Sequence, residues 1–422
     1  MIIFATVASL FVGTTSNISA VEANDLDAKG AIVVEQKTGK ILFDKNPDEV
    51  FGIASMSKMA TQYLVNEAVQ NGEVSWDTKI TVSQRAVDTS ANYELSNVPL
   101  RVGEEYTIQE LYEAMSIYSA NAATIALAEY LGGSEDAWVA KIQEKLQSWG
   151  ITDATFINAS GLPNQYGLSN RKENLPADAE NSMSARSVAI LARHLAEDFP
   201  SALEVAATTE KVFHPGTVDE TVMKNYNLLL PGLLFGRAGV TGLKTGTTDG
   251  SGASLTATAT ENGMSVVAVI IGSSQPLKRF EEMNKLLTQV FAQCEVLTLA
   301  SKGESAKGIK PYATNGSDEV VSIDYGKDFL VVVPKGTAKS QVVLEFQPEK
   351  NQLDEYGKLK APFKKGDVIG RIYYTVERDI DKGYLEKTEG TFVPAVAGID
   401  VGEANIFQNI WRSITRFFGN LF

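Results

Sequence analysis

The 422-residue sequence predicts an α+β fold, an antiparallel sheet with inserted helices, plus a smaller all-β domain and a C-terminal amphipathic helix. Two observations predict the α+β part: a β-rich strand pair at 31–46 precedes a long helical block, and a strand meander follows that block. A third observation predicts the all-β domain: from about residue 302 the sequence changes to short predicted strands separated by Gly, Lys and Pro. These observations place an α+β domain at 24–300 and a β-rich domain at 301–400.

The elements of the first domain follow in order. Residues 31–46 predict a hairpin that turns at Gly39, and a helix is expected from about Ala54 to Asn71-Gly72. Thr107 and Glu110 have the spacing of a capping box. Further helices are expected at 123–133, 135–149, 184–197 and 279–297, and three successive strands at 242–248, 252–260 and 264–272.

Both ends of the chain carry apolar segments. Residues 1–23 contain a short apolar run followed by small residues, which indicates a secretory signal, with a buried N-terminal strand as the alternative. Residues 403–422 place apolar side chains on one helical stripe, with Arg412 and Arg416 on the other side. This pattern is typical of a helix lying in a membrane surface, and a helix packed on the protein's own core is the alternative.

Composition excludes several classes of function. A net charge of −14 would repel nucleic acid. The single Cys294 allows no internal disulfide and no thiolate metal cluster, and its apolar surroundings favour a buried structural role. The two histidines, His194 and His214, are too few and too far apart in sequence for a histidine metal site, and they make a Ser-His-Asp triad improbable.

A serine activated by lysine is the remaining route to a strong nucleophile. Ser55 and Lys58 fit this arrangement, because positions three apart are neighbours on one helix face and the N-terminal end of a helix favours developing negative charge. The same short patterns recur elsewhere, however. Ser-x-x-Lys is repeated at 169–172, Ser-x-Asn occurs at both 90–92 and 119–121, and Lys-Thr-Gly occurs at both 37–39 and 244–246.

Order and context select one copy of each pattern. The pair at 55 and 58 starts a helix, the Ser-x-Asn at 119–121 lies at a break between two helices, and the Lys-Thr-Gly at 244–246 lies on a strand. This set resembles that of the serine penicillin-binding proteins and β-lactamases. The early Lys-Thr-Gly at 37–39 is interpreted as a turn. The resemblance implies a β-lactamase/transpeptidase-like fold for the first domain.

Longer segments resemble one branch, the low-molecular-mass D-alanyl-D-alanine carboxypeptidases. They include "FINASGL", "SMSARSVAILARHL" and "GLKTGTTDGSGASLTATA", and the resemblance extends to the layout of signal, catalytic domain, β-rich domain and C-terminal helix. The sequence departs from this branch at Ser160, where many members have histidine.

The resemblance implies acyl transfer from peptides that end in D-Ala-D-Ala. Ser55 would attack the penultimate carbonyl, and Lys58 would accept its proton. Ser119 would pass a proton to the departing nitrogen, and Asn121 would orient Lys58 and the substrate amide. The backbone amides of Ser55 and Thr247 would form the oxyanion hole. No metal or cofactor is required.

The terminal carboxylate of the substrate would bind at the later strand and a helix. Lys244 is counted among the catalytic residues and would also bind this carboxylate, together with Thr245, Gly246 and Thr247. Arg279 is a further candidate for the carboxylate, with a solvated charge at a helix start as the alternative.

The resemblance also implies partners and a location. The expected partners are peptidoglycan stem peptides, β-lactam antibiotics and a membrane surface, with the protein on the outer face of a bacterial cytoplasmic membrane. Two alternatives stay open: a class A-like β-lactamase and a non-catalytic cell-wall binding protein. The absence of an E-x-x-L-N pattern argues against the first and predicts slow deacylation.

Overall fold

A computed structural model of the protein describes residues 22–410 apart from 314, 319, 356, 378, 380–381, 387–391 and 409. The signal predicted at 1–23 lies outside the described residues except for its last two, and the helix predicted at 403–422 is described only at 403–408 and 410. Within that short piece, Ile406 and Phe407 are 74% and 83% exposed. Among the described residues, no helix is both long and apolar enough to cross a bilayer.

The strands are β1 Gly30–Glu35, β2 Ile41–Lys45, β3 Val50–Gly52, β4 Lys79–Thr81, β5 Glu105–Thr107, β6 Ser182–Ser184, β7 Glu210–Phe213, β8 Thr221–Lys224, β9 Val240–Thr248, β10 Gly252–Glu261, β11 Met264–Ser273, β12 Cys294–Ala300, β13 Ile323–Tyr325, β14 Phe329–Pro334, β15 Val342–Pro348, β16 Val368–Val376 and β17 Phe392–Ala397. The α-helices are α1 Lys58–Gln70, α2 Gln84–Ser90, α3 Ile108–Ile117, α4 Asn121–Gly132, α5 Glu135–Ser148, α6 Ala185–Asp198, α7 Pro200–Ala206 and α8 Lys278–Gln293. Short 3₁₀ turns lie at Ala23–Asp25, Ala54–Ser57, Asn164–Tyr166, Leu168–Asn170, Lys339–Gln341 and Lys350–Gln352.

The central sheet combines strands from the N-terminal and C-terminal parts of the first domain. Its five strands are antiparallel in the order β2-β1-β11-β10-β9. Every residue of β1 is buried. Alternate residues face opposite sides: Ile32 and Val34 pack against the inserted helices, whereas Ala31 and Val33 pack on the side that α8 covers. The prediction of one antiparallel sheet with helices inserted in the chain is confirmed.

The sequence predicted α4, α5 and α6 to within two residues at both ends, but it did not predict the short helices α2 and α7. The capping box at the start of α3 forms as expected, because Glu110 N donates to Thr107 Oγ1 and the Glu110 carboxylate accepts from Thr107 N. The prediction of one helix over 279–297 is wrong at its end. The helix stops at Gln293, and Cys294–Ala300 forms β12 instead, since its run of β-branched and apolar residues pairs with β14.

The β-rich part has its own core. Strands β13, β17, β16 and β15 form one antiparallel sheet, and β12 with β14 forms a second. Their buried side chains include Ile323, Phe329 and Ile372, which pack together as one cluster. The expectation of a smaller all-β domain is therefore confirmed.

The turn after β1 contacts this second domain. Lys40 is 2% exposed, and its Nζ lies 2.5 Å from Asp379 Oδ1 and 3.4 Å from Tyr374 Oη. Two backbone hydrogen bonds accompany the ion pair, from Ile41 N to Gly383 O and from Leu385 N to Gly39 O. The early Lys-Thr-Gly is a turn, as predicted, and it also forms part of the junction between the domains.

Candidate active site

Ser55 lies in the tight turn that leads into α1. The turn spans Ala54–Ser57, and Ser57 Oγ donates to Ala54 O at 2.7 Å. Ala54 has φ +46°, a left-handed conformation that costs a residue with a Cβ some strain. Ser55 is partly exposed while Lys58, one turn later, is fully buried. The turn therefore presents the serine hydroxyl at the surface of the site and the lysine amine beneath it.

The amine of Lys58 has three oxygen neighbours. Its Nζ lies 2.8 Å from Ser55 Oγ, 2.8 Å from Asn121 Oδ1 and 2.7 Å from Ser160 O. Burial, and after it the charge of Lys244, holds the pKa of Lys58 well below its usual 10.5. A neutral amine has two N–H groups and one lone pair. Because Asn121 and Ser160 offer only acceptor oxygens, they take both N–H groups and leave the lone pair facing Ser55.

The break between α3 and α4 supplies two further polar groups. Ser119 has φ +56°, and its Oγ accepts a hydrogen bond from Lys244 Nζ at 2.9 Å. Asn121 is the first residue of α4, and its Nδ2 donates to Ser96 O at 3.0 Å. That bond fixes the amide so that its oxygen faces Lys58.

Strand β9 forms the other wall of the site. Lys244 is 3% exposed, and burial together with the nearby charge of Arg279 lowers its pKa to about 7. Thr245 is buried and Thr247 is exposed. A Cβ on Gly246 would lie 2.7 Å from Ile53 O, so only glycine lets the strand approach the nucleophile's turn this closely.

Arg279, near the start of α8, reaches the same strand. Its Nη1 donates to Gly246 O at 2.9 Å, to Thr247 Oγ1 at 2.7 Å and to Ser254 O at 3.2 Å. The residue is 7% exposed, and burial lowers its pKa to about 10, so it stays cationic at neutral pH. Arg279 therefore makes this end of the site positive, and Lys244 adds a second positive charge below its own pKa.

The competing copies of the motifs lie elsewhere. Ser169 is exposed, and Lys172 forms an ion pair with Asp136. Ser90, on α2, donates its hydroxyl proton to Val87 O at 2.8 Å. The structure therefore brings the predicted copies of the motifs into contact with one another and leaves these other copies apart from them.

The histidines and the cysteine have structural surroundings. His194 stacks on Trp149 with ring centroids 4.1 Å apart, and His214 Nδ1 lies 2.9 Å from Glu110 Oε1. Cys294 is buried, which raises its pKa to about 11. In the part of the chain that the structure describes, no group of three or more His, Cys, Asp or Glu side chains is placed to hold a metal ion.

The sequence did not predict one group of the site, a backbone carbonyl. The backbone carbonyl of Ser160 accepts from Lys58, whereas the sequence pointed to Ser160 only as a departure from the family pattern. Asn158 Oδ1 accepts from both Ser160 N and Gly161 N and shapes this turn. Gly161 has φ +80°, and the glycine after "NAS" was the one available signal for such a turn.

Comparisons with known proteins agree with this geometry. A family described as D-alanyl-D-alanine carboxypeptidase matches residues 17–275, and the family of the penicillin-binding protein 5 C-terminal domain matches residues 295–403. The chain is 29% identical to D-alanyl-D-alanine carboxypeptidase DacC of Escherichia coli, over 95% of this chain and 91% of that protein. It is 28% identical to DacF of Bacillus subtilis, over 82% and 81% of the two chains.

Solved structures give the same picture. A peptidoglycan synthesis regulatory factor (PBP3) from Streptococcus pneumoniae superposes with a TM-score of 0.75 at 33% identity, covering 89% of this chain and 99% of that one. Penicillin binding protein 5 from Haemophilus influenzae superposes with a TM-score of 0.73 at 25% identity, covering 90% of this chain and 98% of that one. Penicillin-Binding Protein D2 from Listeria monocytogenes, in its cefotaxime-bound form, superposes with a TM-score of 0.52 at 28% identity, covering 63% of this chain and 98% of that one.

Proposed function

Because the chain belongs to the D-alanyl-D-alanine carboxypeptidase family, we propose that it removes the terminal D-Ala of peptidoglycan stem pentapeptides through an acyl-enzyme on Ser55. The resemblance to low-molecular-mass penicillin-binding proteins is confirmed, and with it the class of enzyme, a serine-type hydrolase. The assignment of individual residues is the proposal. It is carried by one observation, the amine of Lys58 held 2.8 Å from Ser55 Oγ.

Acylation begins with the attack of Ser55 Oγ on the carbonyl carbon of the penultimate D-Ala. Lys58 accepts the hydroxyl proton through the lone pair that its two carbonyl neighbours leave free. The negative charge on the former carbonyl oxygen is stabilised by the backbone amides of Ser55 and Thr247. One such donor is typically worth about 3 kcal/mol of transition-state stabilisation.

Release of the terminal D-Ala requires a proton on its nitrogen. In the proposed mechanism Ser119 donates its hydroxyl proton to this nitrogen and regains a proton from the Lys58 ammonium, so that both groups return to their starting state. The contact of Ser119 Oγ with Lys244 Nζ at 2.9 Å supports this role because the lysine polarises the hydroxyl. The carbon–nitrogen bond breaks, and the acyl group remains on Ser55. Water then hydrolyses this ester and frees the enzyme.

The positive end of the site fits the substrate's terminal carboxylate. Lys244 and Arg279 provide charge, and the hydroxyls of Thr245 and Thr247 provide hydrogen bonds. Thr247 is an exposed residue and its hydroxyl is bonded to the guanidinium, so a carboxylate placed there would contact both groups. This arrangement would select peptides with a free C-terminus.

β-Lactams are proposed as a second class of ligand, since they resemble the acyl-D-Ala-D-Ala end of the substrate. The Listeria relative, whose structure is a cefotaxime-bound form, supports this extension. Penicillin would acylate Ser55, and the ester would persist because the sequence lacks the E-x-x-L-N acid that activates the deacylating water in class A β-lactamases.

The experiment that tests the proposal follows D-Ala release from a synthetic pentapeptide together with labelling by penicillin. Ser55→Ala should abolish both, whereas the controls Ser90→Ala and Ser169→Ala should retain both, because those serines lie away from Lys58. Label lost within seconds would favour the β-lactamase alternative. An unlabelled wild-type protein that still binds cell wall would favour the non-catalytic one.

We also propose that the protein acts at the outer face of the bacterial cytoplasmic membrane, held there by its C-terminal segment. The exposed Ile406, Phe407 and Ile410 support an apolar face that begins inside the described residues. Deleting 403–422 should give an active enzyme that no longer sediments with anionic vesicles. Retention of the shortened protein on the vesicles would contradict this role.

A further inference from the structure

A buried carboxylate holds the turn that gives Lys58 one of its two carbonyl partners. Glu135, the first residue of α5, is 2% exposed, and its Oε1 accepts a hydrogen bond from Ala159 N at 2.9 Å. Ala159 directly precedes Ser160, whose carbonyl oxygen lies 2.7 Å from Lys58 Nζ. The bond that Glu135 makes and the bond that the lysine makes thus lie on adjacent residues of the same turn.

Three donors converge on this carboxylate. Besides Ala159 N, its Oε2 accepts from Arg85 Nη2 at 2.5 Å and from Asn170 Nδ2 at 2.8 Å. A buried carboxylate is stable only when it is paired and hydrogen-bonded, and here both conditions are met. Arg85 also pairs with Glu129, whose Oε1 lies 3.0 Å from Arg85 Nη1, and Arg85 Nε donates to Gly167 O at 3.3 Å.

We propose that Glu135 is a positioning residue for the acylation step. It holds the backbone at 159–160 so that the Ser160 carbonyl accepts one N–H of the neutral Lys58 amine, and the lone pair then faces Ser55 Oγ. The inference deepens the proposed function and rests on the role of Lys58 as the base.

Glutamine at this position cannot reproduce the contacts. Its side chain has a similar shape, but its amide group offers one acceptor oxygen and one N–H₂ that faces donors. The amide oxygen keeps two bonds, one of them to a cation, only when it faces Arg85 and Asn170. Ala159 N then faces the N–H₂ group and loses its bond, and a buried donor without a partner is costly. The 159–160 turn would shift, and water would replace the carbonyl beside Lys58.

The groups around Lys58 and Glu135 determine whether the pKa of Lys58 rises or falls in Glu135→Gln. Lys244 is the cation that lowers the pKa of Lys58, and it is unchanged in the variant. Arg85, Glu129, Asp136 and Lys172 surround Glu135, directly or through Asn170. Entry of water weakens the desolvation that is the main cause of the low pKa, so the lysine would stay protonated to a higher pH.

The experiment measures the rate constant of penicillin acylation against pH in purified, full-length wild type and Glu135→Gln, with the unfolding midpoint measured in parallel. We expect acylation to slow by up to about 100-fold, with the acid limb of the profile moved to higher pH and the preceding binding constant little changed. Glu129→Gln is the matched control. It removes the other carboxylate on Arg85 but leaves the bond to Ala159, and its acid limb should match wild type.

Three results would overturn the inference. One is a Glu135→Gln protein with a lower unfolding midpoint but a wild-type acid limb, which would make the residue merely structural. Another is a Glu135→Gln protein whose rate constant of penicillin acylation equals that of wild type. The third is a Glu129→Gln protein whose acid limb moves to higher pH by as much as that of Glu135→Gln. If the glutamine variant does not fold, Glu135→Asp keeps the charge but withdraws it from Ala159, and the same shift is expected. A wild-type protein that penicillin does not acylate would refute the proposed function instead.

Discussion

Lys58 carries its amine where an ammonium ion is costly. It is fully buried, and Lys244 lies close enough for its charge to disfavour a second cation. The two lysines have opposite requirements, because a base must be neutral whereas a carboxylate ligand must be charged. Burial lowers the pKa of both amines, and with the charge of Arg279 it lowers the pKa of Lys244 to about 7. In the proposed mechanism the neutral form of Lys58 and the charged form of Lys244 are the active ones.

The activity of the enzyme should depend on pH through both lysines. On the acid side, kcat/KM for a pentapeptide should rise with pH as Lys58 loses its proton. On the basic side it should fall with a midpoint within about one unit of pH 7, as Lys244 becomes neutral and the carboxylate binds less tightly. Bound substrate adds a negative charge beside Lys244, so the basic limb of kcat should lie at higher pH than that of kcat/KM. A flat profile from pH 6 to 9 would contradict these roles.

The sequence could predict which side chains react, but not the groups that hold them in place. A reactive serine without a usable histidine requires an amine nearby, and few arrangements at helix spacing supply one, so Ser55 and Lys58 could be named. The carbonyl of Ser160 and the carboxylate of Glu135 could not be predicted. A backbone carbonyl has no side-chain signature, and a glutamate at the first position of a helix has an ordinary explanation in the helix dipole.

At the scale of elements, the site depends on backbones that approach each other without side chains between them. The turn at 158–161 lies against the turn at 54–57, and a Cβ on Gly161 would lie 1.9 Å from Ala54 O and 2.7 Å from Ser57 Oγ. Neither neighbour is the flexible end of a long side chain. The contact therefore requires glycine for space as well as for its φ of +80°.

Gly161→Ala should consequently damage both stability and acylation. Gly150→Ala is the control, since Gly150 has φ +76° but nothing within 4 Å of an added Cβ. The control should lose about 1 kcal/mol of unfolding free energy from backbone strain and keep its activity. Gly161→Ala should lose several times that amount, measured by urea unfolding, and should react slowly with penicillin. Equal losses in the two variants would show that the close approach is unimportant.

Element boundaries show where sequence reasoning failed. The apolar stripe of α8, at Leu286, Leu287, Val290 and Phe291, reaches Cys294 in helical spacing, so nothing in the stripe itself marks the end at Gln293. The following residues form β12 because a partner strand, β14, lies beside them in space. Long-range pairing of this kind decides between helix and strand, and a single local window of sequence does not contain it.

At the scale of the whole molecule, the junction between the domains is charged and partly buried. Lys40 pairs with Asp379, Arg193 Nη1 lies 3.2 Å from Glu386 Oε2, and Lys382 pairs with Asp44. The sequence predicted the turn at 37–40 correctly but gave no sign of its partner, because the partner residues come from the far end of the chain.

Lys40→Met should loosen this junction without affecting chemistry at Ser55. Removing one partner of a buried pair leaves an uncompensated charge, and since Asp379 is 25% exposed we expect a loss of up to about 3 kcal/mol. Calorimetry should show the unfolding of the two domains separating into two transitions, with the rate of penicillin acylation unchanged. Lys37→Met, at an exposed position in the same turn, is the control and should unfold as wild type does.

The register of the central sheet has a consequence for the order of assembly. Val33 pairs with Ala268 and Glu35 with Val266, so the first hairpin stays without its neighbour until almost the entire first domain has been synthesised. Contacts so distant along the chain make folding slow. A polypeptide that cannot close its main sheet early stays unfolded for longer, and this would suit the export that the apolar segment at 1–23 predicts.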